Sequence, residues 1–120
     1  MLRDLPMRSR LGLALLVLVI AVAVQGLSWW SRERLGAQVA ADARAGDIHM
    51  ISSVTCVYCA RARAWFEENR VPFTECMIER DEQCAAAYTA LMAPGTPVLL
   101  VRNQKLVGFN ARAVADALAR

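Results

Sequence analysis

Leu11 to Trp30 (LGLALLVLVIAVAVQGLSWW) runs twenty residues without a charge, and this run limits everything else the chain can do. As a helix rising about 1.5 Å per residue it spans roughly 30 Å, the thickness of a bilayer's hydrocarbon core. Trp29 and Trp30 end it, where amphipathic rings favour the headgroup layer. A buried core helix of this character needs a large domain to wrap it, and the 120-residue chain leaves none. The segment is therefore expected to be a transmembrane anchor over 11–30, behind a leader of residues 1–10. A cleaved signal sequence is the alternative, with Arg3, Arg8 and Arg10 as its positive leader and Leu11 to Ile20 as its apolar centre. Ala21-Val22-Ala23 would then be the cleavage pattern. The continuation of the apolar run to the tryptophans favours the anchor. Both readings carry the rest of the chain across the membrane. The expected location is a bacterial inner membrane, single-pass, with the C-terminal domain in the periplasm and the leader in the cytoplasm.

Charge narrows the partners. Residues 1–45 hold six arginines against Asp4, Glu33 and Asp42, while residues 46–120 hold eight basic and eight acidic side chains. The net charge of +3 therefore belongs to the anchor and its flanks. A neutral domain without a basic stripe has no electrostatic footprint for nucleic acid, so none is expected as a partner.

Ser31 to Gly46 is rich in Ala and Arg without a dense apolar face, and reads as a juxtamembrane linker over 31–46, in part helical and ending at Gly46. The domain proper is expected over 47–120, close to the lower limit for an unaided core. Its elements alternate. Ile48 to Val54 is a strand by its β-branched content, and Val57 to Arg70 a helix with Tyr58, Ala62, Trp65 and Phe66 on one face. Arg63 and Glu67 form an i,i+4 pair outside, and Pro72 closes the helix. Phe73 to Glu79 is a second strand. Asp81 is a candidate N-cap for a helix whose buried stripe is Cys84, Tyr88 and Leu91, ended by Pro94-Gly95. Pro97 to Arg102 is a third strand, Asn103-Gln104 a turn, Lys105 to Phe109 a fourth strand, and Ala111 to Arg120 a last helix. The order βαβαββα predicts an α/β domain with a four-stranded mixed sheet and helices on both faces, preceded by one transmembrane helix.

Cys56-Val57-Tyr58-Cys59 falls at the first strand-to-helix junction. The first thiol stands on the opening turn of a helix, where free N–H groups and the macrodipole favour a thiolate. The second lies about one turn on, near enough to close a small ring. Such a dithiol attacks a disulfide and then resolves the mixed disulfide from within. A zinc site is the competing reading of C-x-x-C, but the other two cysteines, Cys76 and Cys84, have seven residues between them. The single histidine, His49, lies inside the first strand and is assigned no catalytic role. No metal is expected.

With these residues in order, residues 47–120 resemble a glutaredoxin, a minimal member of the thioredoxin superfamily. The likeness rests on C-V-Y-C after the first strand, Thr96-Pro97 opening the third, and Gly108-Phe109 after the fourth. The resemblance implies a thioredoxin-like fold and an enzyme, a thiol–disulfide oxidoreductase. It makes Cys56 the nucleophile, Cys59 the resolving thiol and Pro97 a cis-proline facing the site. Tyr58, Thr96, Pro97, Gly108 and Phe109 are the substrate-binding residues it implies. Partners are then protein thiols and disulfides or glutathione, with glutathione a candidate co-substrate and no cofactor tightly bound. The chain departs from the usual C-P-Y-C at Val57, has Ser53 where a lysine often stands, and has Gly108-Phe109-Asn110 in place of Gly-Gly-Asp. A redoxin-fold binding module holding an iron–sulfur cluster or metal without turnover is the alternative function. Arg61 and Arg63 read as a solvated helix face that adds positive potential near Cys56.

Cys76 and Cys84 admit three readings: free core thiols, a structural disulfide, or a second redox couple. A strand and the helix after it pack face to face, within the span a disulfide requires.

Overall fold

The structure, a computed structural model, describes residues 6–120. Arg3 and the start of the 1–10 leader lie outside the described residues. The chain divides into two units, the first ending at Arg34 and the second comprising Leu35–Arg120.

The first unit is the greater part of α1 (Met7–Asp42), a helix of 36 residues. Among the described residues it is the helix long and apolar enough to cross a membrane. Leu15, Val19 and Trp29 stand exposed along it. Its hydroxyls are satisfied locally: Ser28 donates to the Gln25 carbonyl and Ser31 to that of Ser28, both at 2.9 Å. The Arg34 guanidinium lies 3.7 Å from the centre of the Trp30 ring, a cation–π contact at the end of the apolar run.

The second unit adds β1 (Ile48–Ser52), α2 (Val57–Glu68), β2 (Thr74–Met77), α3 (Glu82–Ala90), β3 (Val98–Val101), β4 (Gln104–Val107) and α4 (Ala111–Leu118). This is the expected βαβαββα order. The strands make one mixed sheet in the order β2-β1-β3-β4, with β2 parallel to β1 and the other pairs antiparallel. Alternation along β1 divides the core. Ile48 and Met50 face a layer made by Ala62 and Phe66 of α2, Val114 and Leu118 of α4, and Val39 of α1. Ile51 faces the other way, with Val98, onto Cys84, Tyr88 and Leu91 of the α3 side.

Three findings go beyond or against expectation. Residues 31–46 are helical as far as Asp42 and also pack on the domain: Val39 is fully buried with Ala43 beside it. Gly36 sits so close to Asn69 that a Cβ would fall 1.9 Å from Asn69 Oδ1. One valine and a glycine make no amphipathic stripe, so this docking left no periodic signal. The hairpin turn falls at Arg102-Asn103 instead of Asn103-Gln104, and both residues take positive φ, 46° and 69°. That is the geometry whose twist suits a two-residue hairpin. Finally, the buried stripe of α2 is Cys59, Ala62 and Phe66, a 3–4 spacing that turns Tyr58 outward to 66% exposure. Helix ends agree with the side-chain caps: Asp81 accepts from Gln83 and Cys84 N–H, and Asn110 from Arg112 and Ala113 N–H.

Candidate functional site

Register brings three distant motifs to one end of the sheet. Ile51 pairs with Val98 in antiparallel fashion, so β3 begins where β1 ends. Val98 in turn pairs with Val107, so β4 ends there too. Thr96-Pro97, Gly108-Phe109 and the loop carrying Cys56 therefore converge, and Gly108 N–H donates to the Pro97 carbonyl at 2.8 Å. The Thr96–Pro97 peptide is cis.

Cys56 is the N-cap of α2 and is joined to Cys59 by a disulfide, with Cα atoms 5.2 Å apart. The two sulfurs are not equivalent. Cys59 is fully buried, whereas Cys56 is half-buried and opens to solvent. Cys56 Sγ also accepts the Cys59 N–H at 3.0 Å and lies 3.5 Å from the Thr96 carbonyl oxygen. In the bridged form this sulfur has no proton, so the Thr96 contact becomes a hydrogen bond only when the thiol is regenerated. An N–H already aimed at the sulfur, at the positive end of a helix, stabilises a thiolate there.

Beside the bridge is a cavity of about 400 Å³ lined by Tyr58, Arg61, Thr96, Pro97, Gly108 and Phe109. Five of these are the residues the resemblance implied. Arg61 is the sixth; its guanidinium carbon lies 5.7 Å from the centre of the Tyr58 ring. Sequence reasoning placed it on the helix face without assigning it to the cavity, although its position two residues past Cys59 was the available signal.

Two carboxylates hold the frame. Glu79 accepts from the Ser53 hydroxyl and, at 3.2 Å, from Val54 N–H, tying the loop that leads into Cys56 to the end of β2. The Ser53 hydrogen bond keeps its carboxyl below the ordinary value, aided by Val54. Glu75 takes Arg63 through both oxygens at 2.7 and 2.9 Å, and the buried Ser52 hydroxyl at 2.7 Å. Burial pushes the Glu75 carboxyl up, but the hydrogen bonds from Arg63 and Ser52 outweigh it and hold the group low. Arg63 thus belongs to Glu75 across the α2–β2 packing; the expected Glu67 pair gives way to a better bidentate partner.

Cys76 and Cys84 are also bridged, with Cα atoms 6.0 Å apart. Among the described residues no group of three or more His, Cys, Asp or Glu side chains gathers to hold a metal ion.

A glutaredoxin family model matches residues 48–107, half of the chain. Among solved structures, a mutant of the thioredoxin-like protein BC3987 superposes with a TM-score of 0.56 at 16% identity, over 62% of this chain and 96% of that one. Methanoredoxin of Methanosarcina acetivorans gives 0.50 at 20% identity, over 61% and 84%. At such identities the likeness is one of fold. No curated protein matches the chain.

Proposed function

The chain belongs to the glutaredoxin family, and from that premise we propose that it is a membrane-tethered thiol–disulfide oxidoreductase working on protein or low-molecular-weight disulfides. The observation that carries this reading is the asymmetry of the Cys56–Cys59 bridge. Its open sulfur stands at a helix N-terminus beside Thr96, and its closed sulfur is buried one turn on.

In the reduced protein Cys56 is the thiolate that attacks a substrate disulfide, and one substrate sulfur leaves as a thiol. Cys59 then attacks Cys56 Sγ in the mixed disulfide, restoring the bridge and releasing the second substrate sulfur. Two electrons pass from the dithiol to the substrate; the reverse sequence oxidises a substrate dithiol. Tyr58 and Phe109 supply apolar walls for the bound chain, and the Thr96 backbone supplies a strand-like edge. Arg61 offers a cation to an anionic thiol such as glutathione, which makes glutathione a candidate co-substrate.

The apolar helix is the tether. Its length, the arginines before it and the tryptophans at its end support a single pass, with the catalytic unit in the periplasm of a bacterium. A Cys76–Cys84 bridge accords with an oxidising compartment.

The test is Cys59→Ser in the full-length chain. Mixed disulfides should accumulate on Cys56, be released by dithiothreitol, and vanish when Cys56 is also replaced by serine. A Cys59→Ser chain that captures no thiol partner from its own membranes or from added glutathione disulfide refutes the exchange mechanism.

A further inference from the structure

We propose that Cys76–Cys84 is a second thiol–disulfide exchange centre, with Cys76 the nucleophile of its reduced form and His49 the base that activates it. The proposal does not depend on the chemistry of Cys56.

Accessibility comes first. Cys76 lies on β2, an edge strand of the sheet, and is half-buried; Cys84 is 3% exposed in the first turn of α3. Of the two residues of this bridge, Cys76 is the more open to an incoming thiolate. The other is placed as a leaving group at a helix N-terminus, where negative charge is favoured. A purely structural staple requires neither feature.

The second observation is His49. Thr74 Oγ1 lies 2.7 Å from His49 Nδ1 and 3.5 Å from the Ile48 carbonyl oxygen, so a Thr74 hydroxyl that donates to Ile48 accepts from His49 Nδ1–H. In that tautomer the Nε2 lone pair faces Cys76 Sγ at 3.4 Å. In the bridged state the sulfur has no proton to give, and the contact is idle. Once the bridge opens, Cys76 S–H donates to Nε2, and transfer of that proton leaves a thiolate–imidazolium pair. The single histidine of the sequence thus stands with its Nε2 against this bridge.

The surroundings leave this pair undisturbed. Leu100 of β3 and Lys105 of β4 continue the cross-strand row from His49, and the Lys105 ammonium is engaged on the Leu91 carbonyl at 3.1 Å. Thr74 of β2 is the hydroxyl already named. From the α3 side come Tyr88 and the capping Asp81, whose carboxylate is occupied by the N–H groups of Gln83 and Cys84.

The electrons balance as follows. A small thiolate attacks Cys76 Sγ, the S–S bond breaks, and Cys84 leaves as a thiolate that takes a proton from water. A second thiolate then attacks the small-molecule sulfur of the mixed disulfide. Cys76 is released as a thiolate, His49 takes a proton from water to pair with it, and the two small thiols depart as one disulfide. Run backwards, Cys76 attacks a disulfide and Cys84 resolves it.

The experiment uses the full-length chain in detergent with Cys56→Ser and Cys59→Ser, so that only the second pair remains. After reduction with dithiothreitol, iodoacetamide labelling of Cys76 is followed by mass spectrometry between pH 5 and 9, with and without His49→Gln. At pH 6 the parent should label at least about tenfold faster than His49→Gln, the two converging above the ordinary thiol pKa of about 8.5. The parent's own profile decides the matter if His49→Gln misfolds: a rate already near its plateau at pH 7 supports the pair. A parent profile that simply follows an ordinary thiol overturns the proposal. So does a bridge that dithiothreitol opens only after denaturant has unfolded the chain.

Discussion

A fragment starting at Asp47 should be far less stable than one starting at Leu35, although both contain every strand and the whole Cys56 site. The difference is the end of α1. Val39 is fully buried against the α2–α4 layer, and burying a valine side chain contributes about 1.5–3 kcal/mol. Leu35, Ala40 and Ala43 add smaller apolar areas, and Arg102 loses its 3.2 Å bond to the Asp42 carbonyl. Together these come to about 3–5 kcal/mol by the same area rule. A unit the size of Leu35–Arg120 has in total about 4–13 kcal/mol at typical stability per residue. The truncation therefore removes a large part of what holds the domain folded. Urea unfolding of the two fragments, followed by Trp65 fluorescence, should place the shorter one's midpoint about 2 M lower or find it unfolded in buffer. Val39→Ala in the longer fragment should cost about 2 kcal/mol, because it deletes two methyl groups and leaves a cavity. Equal midpoints for the two fragments, with Val39→Ala neutral, would show that this helix end touches the domain without stabilising it.

Further outcomes follow from Glu75, Glu79 and Arg61. Glu75→Ala should destabilise the domain by about 2–3 kcal/mol, because it strands the buried Ser52 hydroxyl as well as Arg63. Since the folded-state pKa of Glu75 is depressed, its contribution is present above the ordinary carboxylate range and lost as pH falls through the folded value. Glu75→Gln should therefore flatten the acid limb of stability against pH; an unchanged limb contradicts the assignment. Glu79→Ala should leave the thermal midpoint nearly unchanged but lower disulfide turnover about tenfold, by freeing the loop that aims Cys56. Arg61→Ala should raise KM for glutathione disulfide and spare a neutral peptide disulfide, and equal effects on both would remove Arg61 from substrate recognition.

Much of this was legible in the chain because its signals are local. β-Branched content marked the first strand, Pro and Gly breaks helped to place the other elements, Asp81 announced the α3 cap, and C-V-Y-C at a strand-to-helix junction named the dithiol. The resemblance singled out Tyr58, Thr96, Pro97, Gly108 and Phe109, which line one cavity together with Arg61. Strand ends were read one or two residues too long: Val54 and Glu79 carry strand-like neighbours but belong to the loop that their own hydrogen bond closes.

What stayed hidden depends on register, which no single segment states. Arg63 has an ordinary helical partner four residues on, and chooses Glu75 only because β2 lies parallel beside β1 and turns that carboxylate toward α2. The same parallel pairing sets His49 opposite Thr74 and Ile51 opposite Cys76, so a histidine that looked like an idle strand residue comes to face a sulfur. A shift of one residue between these strands would turn Thr74 and Cys76 to the opposite face of the sheet from His49, and the bridge to α3 could not close. The Cys76–Cys84 bridge and the His49 contact are thus two consequences of one register. Any variant that loosens β2 from β1 should disturb both together, while the dithiol at the N-terminus of α2 keeps the geometry that its own helix gives it.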